Sequence, residues 1–535
     1  MRTFFRLIPL WLLLTACGGG GGSGSGSGGT TPPPPPATPG LAKTSCGDYQ
    51  GNDRGNSWSF LGLRYAAAPS GVRRWRSPEL PACPSGTVVA NAYAPVCPQL
   101  DRESGAPEGD EDCLALNVFT PKSAFPSGRK PVMVFIHGGG NVAGSAREEV
   151  VPGRLLYDGA ALAEASGNVV VTLQYRIGPL GWLVHPALDA EAPDARSGNY
   201  GLEDLIAALK WVRRDIAAFG GNTDRVMIFG ESAGGVNVCT LLAAPAAAGL
   251  FTSATIESGG CVADARGKAL ATGATLTGNV GCSTAADISA CLRSKTPAEL
   301  LAALPPEVSI AGSQAPYQPN VDGTLLPLAP LDAIRSGQHN RVPTVIGANA
   351  DETGREVPLT LSEAEYQLIL ASTFPNQAVR TQVANLYSSA AFGSPRRAYV
   401  ALTSDVKFIC PSRTIARALV SAQTEPVYRY FFTEVPDAAA SSVYGAVHGL
   451  ELLYLFGVLD IQGYSPTAAE RTLSTAMQSY WGGLAASGTP SAVGAPTWVS
   501  YDALRDNHLV LDAAALAMGE GVIKPRCDFW STFGL

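Results

Sequence analysis

The chain has 535 residues, a formal net charge of −7 and 46% hydrophobic residues. A chain of this size can bury a large core, and mild acidity without a basic stripe excludes an electrostatic nucleic-acid binder. Length alone suggests three domains, but the spread of the chemistry-bearing segments argues for one large one.

Residues 1–17 have the form of an export signal. Arg2 and Arg6 supply a positive n-region and Leu7 to Leu14 an apolar h-region, too short for a comfortable membrane span. The segment ends Leu14-Thr15-Ala16-Cys17, which resembles the lipobox of bacterial lipoproteins. That resemblance implies lipidation of Cys17 and a membrane partner through the lipid anchor. The chain is therefore expected to be exported to the bacterial cell envelope, anchored in the outer membrane (Gly18 rather than Asp follows the cysteine) or secreted. Several acyl chains anchor stably because each buried methylene adds about 0.8 kcal/mol. Residues 18–40 read as a tether, a flexible Gly/Ser coil followed by the stiff run Pro32 to Pro36.

The folded part begins with a predicted hairpin in Cys46 to Pro69, one strand of it Phe60 to Tyr65. Cys97 and Cys113 bracket a polar, acidic loop, and Glu111 to Val118 leads into a strand. Pro131 to Ile136 is a continuous apolar run and so a buried central strand. It enters His137-Gly138-Gly139-Gly140, where backbone N–H groups can face a ligand closely. Asn168 to Tyr175 is a further buried strand. Gly198 to Leu202 opens an amphipathic helix running to Phe219, stopped by Gly220-Gly221-Asn222.

Arg225 to Phe229 then reads as a strand and Val236 to Ala244 as a helix. Between them lies Gly230-Glu231-Ser232-Ala233-Gly234. Strand, sharp turn and helix is the setting in which G-x-S-x-G holds up a nucleophilic serine. Gly230 and Gly234 are needed because a Cβ at either place would collide with its neighbours. The order strand, helix, strand, turn, helix predicts a largely parallel sheet covered on both faces. Further strands are predicted at Thr255 to Glu257, Pro343 to Ile346 and Val427 to Phe432.

A serine nucleophile needs a base, and the base an orienting carboxylate. Of the five histidines, His137, His185 and His339 precede the best acid candidates. His508 is read in a polar turn. His448, in Gly445-Ala446-Val447-His448-Gly449 ahead of an apolar helix from Leu450 to Phe456, is better placed. For the acid, Asp351 and Glu352 both follow the strand at Pro343 to Ile346 and both qualify.

Taken together, Phe229 to Gly235 (FGESAGG) and Glu111 to Val118 (EDCLALNV) resemble the signatures of the type-B carboxylesterase/cholinesterase family. The resemblance covers the chain from about residue 40 to the end. It implies an α/β-hydrolase fold for residues 41–535, a central mostly parallel mixed sheet flanked by helices with helical insertions. It implies a serine carboxylic-ester hydrolase of broad specificity acting through an acyl-enzyme; no cofactor is expected, and no metal, since no His-x-x-x-His or Cys-x-x-Cys spacing occurs. Ser232 matches the family nucleophile, Glu352 its acid and His448 its base. Gly139, Gly140 and Ala233 match the oxyanion donors. Cys97–Cys113, Cys282–Cys291 and Cys410–Cys527 match three family disulfides, plausible in an exported chain. Cys46 and Cys83 are candidates to pair, and Cys239 and Cys261 are read as free and buried.

Two departures stand out. The family helix reads GLxDQ, where this chain has Gly201-Leu202-Glu203-Asp204-Leu205, so a packing change is expected rather than lost catalysis. Cholinesterases hold choline on a tryptophan in the loop corresponding to Cys97–Cys113; here that loop has no aromatic residue, and choline esters are an unsuited substrate. Ser313, Ala315 and Tyr317 fall where cholinesterases place bulky acyl-pocket aromatics, and predict a pocket open to longer or aromatic acyl groups. The expected partner is a small-molecule or polymeric ester. A lipase or polyester-degrading hydrolase is the second reading, and a non-catalytic cholinesterase-like binding protein the third; the presence of Ser232, Glu352 and His448 weighs against the last.

Overall fold

Apolar runs buried on both faces build the centre of the molecule. The computed structural model describes residues 38–305, 316–437, 441–461 and 463–534. The export signal, Cys17, most of the tether, Ser313 and Ala315 lie outside the described residues.

The main sheet uses β1 (Asn52–Asp53), β2 (Ser57–Arg64), β3 (Ala115–Pro121), β4 (Lys130–Ile136), β5 (Val169–Leu173) and β6 (Gly221–Glu231). It continues with β7 (Ser253–Glu257), β8 (Thr344–Asn349), β9 (Val427–Phe432), β10 (Asn507–Leu511) and β11 (Ala517–Glu520). Their spatial order is β11-β10-β9-β8-β7-β6-β4-β5-β3-β2-β1. From β5 across to β10 every neighbouring pair is parallel, and antiparallel strands finish both edges. The crossover that seats β4 between β5 and β6 puts the two glycine-bearing turns, at the ends of β4 and β6, side by side. Ligands bind outside the carboxyl ends of parallel strands at such a place.

Alternation along β4 splits the core in two. Val132, Val134 and Ile136 join the cluster containing Leu202, Leu209 and Val238, which come from helix α1 (Tyr200–Asp215) and helix α2 (Ala233–Ala243). Met133 and Phe135 join the cluster on the other face with Met477, Tyr480 and Trp481 of helix α3 (Ala468–Ser487). Phe135, Phe229 and Phe456 pack there, Phe135 lying 5.0 Å from each of the other two rings. Helix α3 starts on a capping box, the Thr467 hydroxyl accepting from the Glu470 N–H and the Glu470 carboxylate from the Thr467 N–H.

At the GLxDQ departure, Leu205 is fully buried among apolar neighbours. Asp204 beside it accepts from Arg176 Nε at 2.8 Å and Nη2 at 2.7 Å. The position thus packs as an apolar one.

The hairpin read in Cys46 to Pro69 is present, β1 pairing antiparallel with β2, which carries Phe60, and a further hairpin precedes it, Leu41–Thr44 with Gly47–Gln50. Two readings need correction. His508 lies not in a turn but buried within β10. Asp506, two residues before it, looked solvated but is buried against Arg413 and Arg429, so the strand that starts at Asn507 enters the core at once. Cys239 and Cys261 are paired with each other, not free. Helix α2 lies against β7, so Cys239 on the helix meets Cys261 just past the strand, at a Cα separation of 5.3 Å. Cys46 pairs with Cys83, and the structure also joins Cys97–Cys113, Cys282–Cys291 and Cys410–Cys527.

Peptide mapping without reduction is expected to recover a Cys239–Cys261 linked pair. Replacing both with serine should cost about 2–4 kcal/mol in urea denaturation. Free thiols at both positions in the native protein would contradict the pairing.

Candidate active site

The elbow between β6 and α2 is set by collisions. Ser232 has φ 59° and ψ −124°, a left-handed strained backbone for a residue with a Cβ. A Cβ on Gly234 would stand 2.0 Å from the Ile136 carbonyl oxygen, and one on Gly230 would stand 2.7 Å from the Gly234 carbonyl. Bare backbone at both places lets the chain reverse over the end of β4. The Ser232 N–H donates to the Glu257 carbonyl at 2.9 Å, which ties the turn to β7.

Beside it, β4 ends in the glycine loop. Gly139 has φ +106° and Gly140 φ +66°, and a Cβ on Gly139 would stand 2.0 Å from the Ala143 carbonyl oxygen. The loop is pinned from below. The Tyr175 hydroxyl donates to the His137 carbonyl at 2.9 Å. Asn237 of α2 donates to Asn141 Oδ1 at 2.9 Å. His137 itself is buried against the Tyr175 ring at 4.5 Å, and burial pushes its imidazole down to about 4. It is neutral and holds the loop in shape. Ala233, first residue of α2, presents its backbone at a helix N-terminus, where the dipole favours negative charge.

The third element is the loop after β8. Glu352 Oε2 lies 2.6 Å from His448 Nδ1, and Glu352 Oε1 accepts from the Asn349 N–H at 2.8 Å. The His448 N–H in turn donates to the Glu352 carbonyl at 3.1 Å. Asp351, the rival by position, turns away. Its Oδ2 accepts from the Ala446 N–H at 3.0 Å, and its N–H donates to the Ala446 carbonyl at 3.0 Å. It therefore staples the histidine loop and does not meet the ring. Phe408 packs on His448 at 4.7 Å.

Sequence reasoning passed over the carboxylates around this imidazole. His448 Nε2 stands 3.1 Å from Glu231 Oε1, at ion-pair distance but off the hydrogen-bond line, so that oxygen has no donor. Glu231 sits inside the FGESAGG motif, next to Ser232, and that adjacency was the available signal. Glu451 accepts from Asn349 Nδ2, and Glu257 accepts from Trp481 Nε1 at 2.5 Å; both are fully buried. Burial opposes charge on His448, but Glu231 and Glu352 outweigh it and raise the imidazole pKa. Burial raises Glu231, Glu257 and Glu451 as well, with mutual repulsion adding to it.

Ser232, His448, Gly139 and Gly140 line one cavity of about 1210 Å³. Tyr317 lines it too, buried and with its hydroxyl unpartnered.

A serine on a strained strand-to-helix turn, beside a glycine loop and a buried carboxylate–imidazole pair, defines an α/β-hydrolase. The chain belongs to the carboxylesterase family, whose profile matches residues 39–530. It is 34% identical over 485 residues to "Fumonisin B1 esterase" of Sphingopyxis macrogoltabida, covering 88% of this chain and 85% of that one. It is 34% identical over 491 residues to "Para-nitrobenzyl esterase" of Bacillus subtilis, covering 88% and 95%. A solved structure of a PNB esterase superposes with a TM-score of 0.77 at 33% identity, over 92% of this chain and all of that one. The protein is a carboxylic-ester hydrolase.

Gly234→Ala is expected to cost about 1–3 kcal/mol or more, since the new methyl meets a backbone carbonyl that has no room to retreat. Urea midpoints compared with the exposed Gly278→Ala, where a Cβ meets nothing, check it.

Proposed function

We propose that Ser232 is the nucleophile, His448 the base and Glu352 the acid of a broad-specificity esterase working through an acyl-enzyme. The observation that carries this reading is the 2.6 Å contact between Glu352 and His448 Nδ1 in the cavity that Ser232 lines. With Nδ1 held by Glu352, Nε2 is left to take the Ser232 proton. The serine oxygen attacks the ester carbonyl. The oxyanion is received by the N–H groups of Gly139, Gly140 and Ala233, each such donor worth about 2.7–4 kcal/mol in related chemistry. His448 returns its proton to the leaving alcohol. Water then enters, gives a proton to His448 and attacks the acyl carbon, and the departing Ser232 oxygen takes that proton back. Glu352 stays ionised throughout and steadies the imidazolium.

The cavity exceeds the usual range of about 300–1,000 Å³ for small-ligand sites. That supports bulky esters, and it is also the observation favouring a lipase or polyester-degrading enzyme. Tyr317 is proposed as an acyl-pocket wall, while Ser313 and Ala315 remain sequence-based assignments. Export and lipid anchoring at Cys17 are proposed with them. Five disulfides fit an oxidising compartment. Among the described residues no helix is long and apolar enough to cross a membrane.

Hydrolysis of p-nitrophenyl esters from acetate to decanoate tests the reading. Ser232→Ala should lower kcat by about 10⁵–10⁶-fold and Glu352→Gln by about 10⁴-fold, with Asp351→Asn costing far less. Equal losses in Glu352→Gln and Asp351→Asn would contradict the assignment of the acid. A steep fall beyond acetate would contradict the open acyl pocket.

The pH profile of kcat/KM supplies a separate check. Glu231 favours the protonated form of His448, so removing its charge lowers the imidazole pKa and frees the base at lower pH. The acid limb of Glu231→Gln should therefore move to lower pH. A limb that stays in place would show that Glu231 does not act on the base.

A further inference from the structure

We infer that Arg102 selects esters carrying a carboxylate close to the scissile bond. This rests on the esterase reading above and names its substrate class.

Arg102 is the single basic residue between Cys97 and Cys113. The disulfide and the short ribbon Gln99–Leu100 with Pro107–Glu108 fix the base of its loop. Its guanidinium reaches over the glycine loop. Nη2 lies 2.6 Å from where a Cβ on Gly139 would be, and Arg102 lines the same cavity as Ser232. The cation therefore stands beside the loop that receives the carbonyl, not at a remote part of the surface.

The acidic residues along the same cavity are Asp101, Glu148, Glu149, Glu231 and Glu356. Four are engaged elsewhere. Asp101 accepts from the Ser104 N–H at 2.8 Å, and Glu149 from the Gly153 N–H at 2.9 Å. Glu356 pairs with Lys407 at 3.6 Å, and Glu231 faces His448. Glu148 is the one carboxylate among the described residues at ion-pair distance from Arg102, at 3.7 Å, beyond hydrogen-bond length, and Glu231 adds a more distant attraction. The guanidinium fork thus retains donors for a planar, bidentate anion. A carboxylate fits better than a phosphate, because the surrounding acids repel a second negative charge.

The test compares mono-(p-nitrophenyl) glutarate with the uncharged p-nitrophenyl pentanoate, using the wild-type protein, Arg102→Gln, Arg102→Lys and Ser232→Ala. The wild type should favour the glutarate in kcat/KM. Arg102→Gln should lower the glutarate-to-pentanoate ratio by about tenfold or more, chiefly through KM, and Arg102→Lys should restore part of it. Added salt should lower the wild-type ratio as well, a readout that needs no variant to fold. An unchanged ratio in Arg102→Gln, or equal losses on both esters, would overturn the proposal while leaving the esterase reading intact. Absence of Ser232-dependent turnover on both esters would overturn the esterase reading and this proposal with it.

Discussion

The contact on which the rest depends is the one between α2 and the end of β4. Gly234 leaves no room for a side chain against the Ile136 carbonyl. Because the helix starts that close, β6 has to reverse within one residue. Ser232 takes the strained conformation, and the tightly packed sheet over-determines it. The same approach places the start of α2 beside the glycine loop leaving β4. The serine proposed as nucleophile and the N–H groups proposed to stabilise its product are thus fixed by the sheet, which is what preorganised catalysis requires.

A second constraint is electrostatic. Four carboxylates, Glu231, Glu257, Glu352 and Glu451, share one buried neighbourhood with one imidazole. Four buried negative charges around a single cation are not sustainable, so part of the cluster holds protons near neutral pH. Glu352 receives a backbone N–H and the imidazole. Glu257 retains an oxygen without a donor and is held well above the carboxylate range by burial and by Glu451. Burial and repulsion thereby hold Glu257 and Glu451, behind the imidazole, toward their neutral forms, while Glu231 and Glu352 face His448.

Much of this was legible in the chain. Pro131 to Ile136 read as a buried strand because nothing polar interrupts it, and Val427 to Phe432 read as one despite Arg429, which the fold buries against Asp506. The elbow was legible because Gly230 to Gly234, with a strand before and a helix after, form one contiguous stretch, although the carbonyl that Gly234 meets belongs to distant Ile136. Other features were hidden for physical reasons. Asp351 and Glu352 are adjacent, and only the direction in which β8 releases the chain decides which meets His448. Cys239 and Cys261 belong to a helix and to the end of a strand, and meet only once α2 packs on β7. Asp506 and Asn507 gave His508 the look of a turn, because the buried arginines that neutralise Asp506 are far away in sequence. Arg102 lay in a loop notable for its acids, and its relation to Gly139 exists only in three dimensions.

The central claim is that an acyl group passes through Ser232. The most direct measurement is acid-quenching the protein during turnover of a slowly deacylating p-nitrophenyl ester, then digesting it for mass spectrometry. The account predicts the acyl mass on the peptide containing Ser232, formed with a burst of p-nitrophenol of about one equivalent per active site. Turnover without any adduct at Ser232, or with the acyl group on another residue, would contradict it.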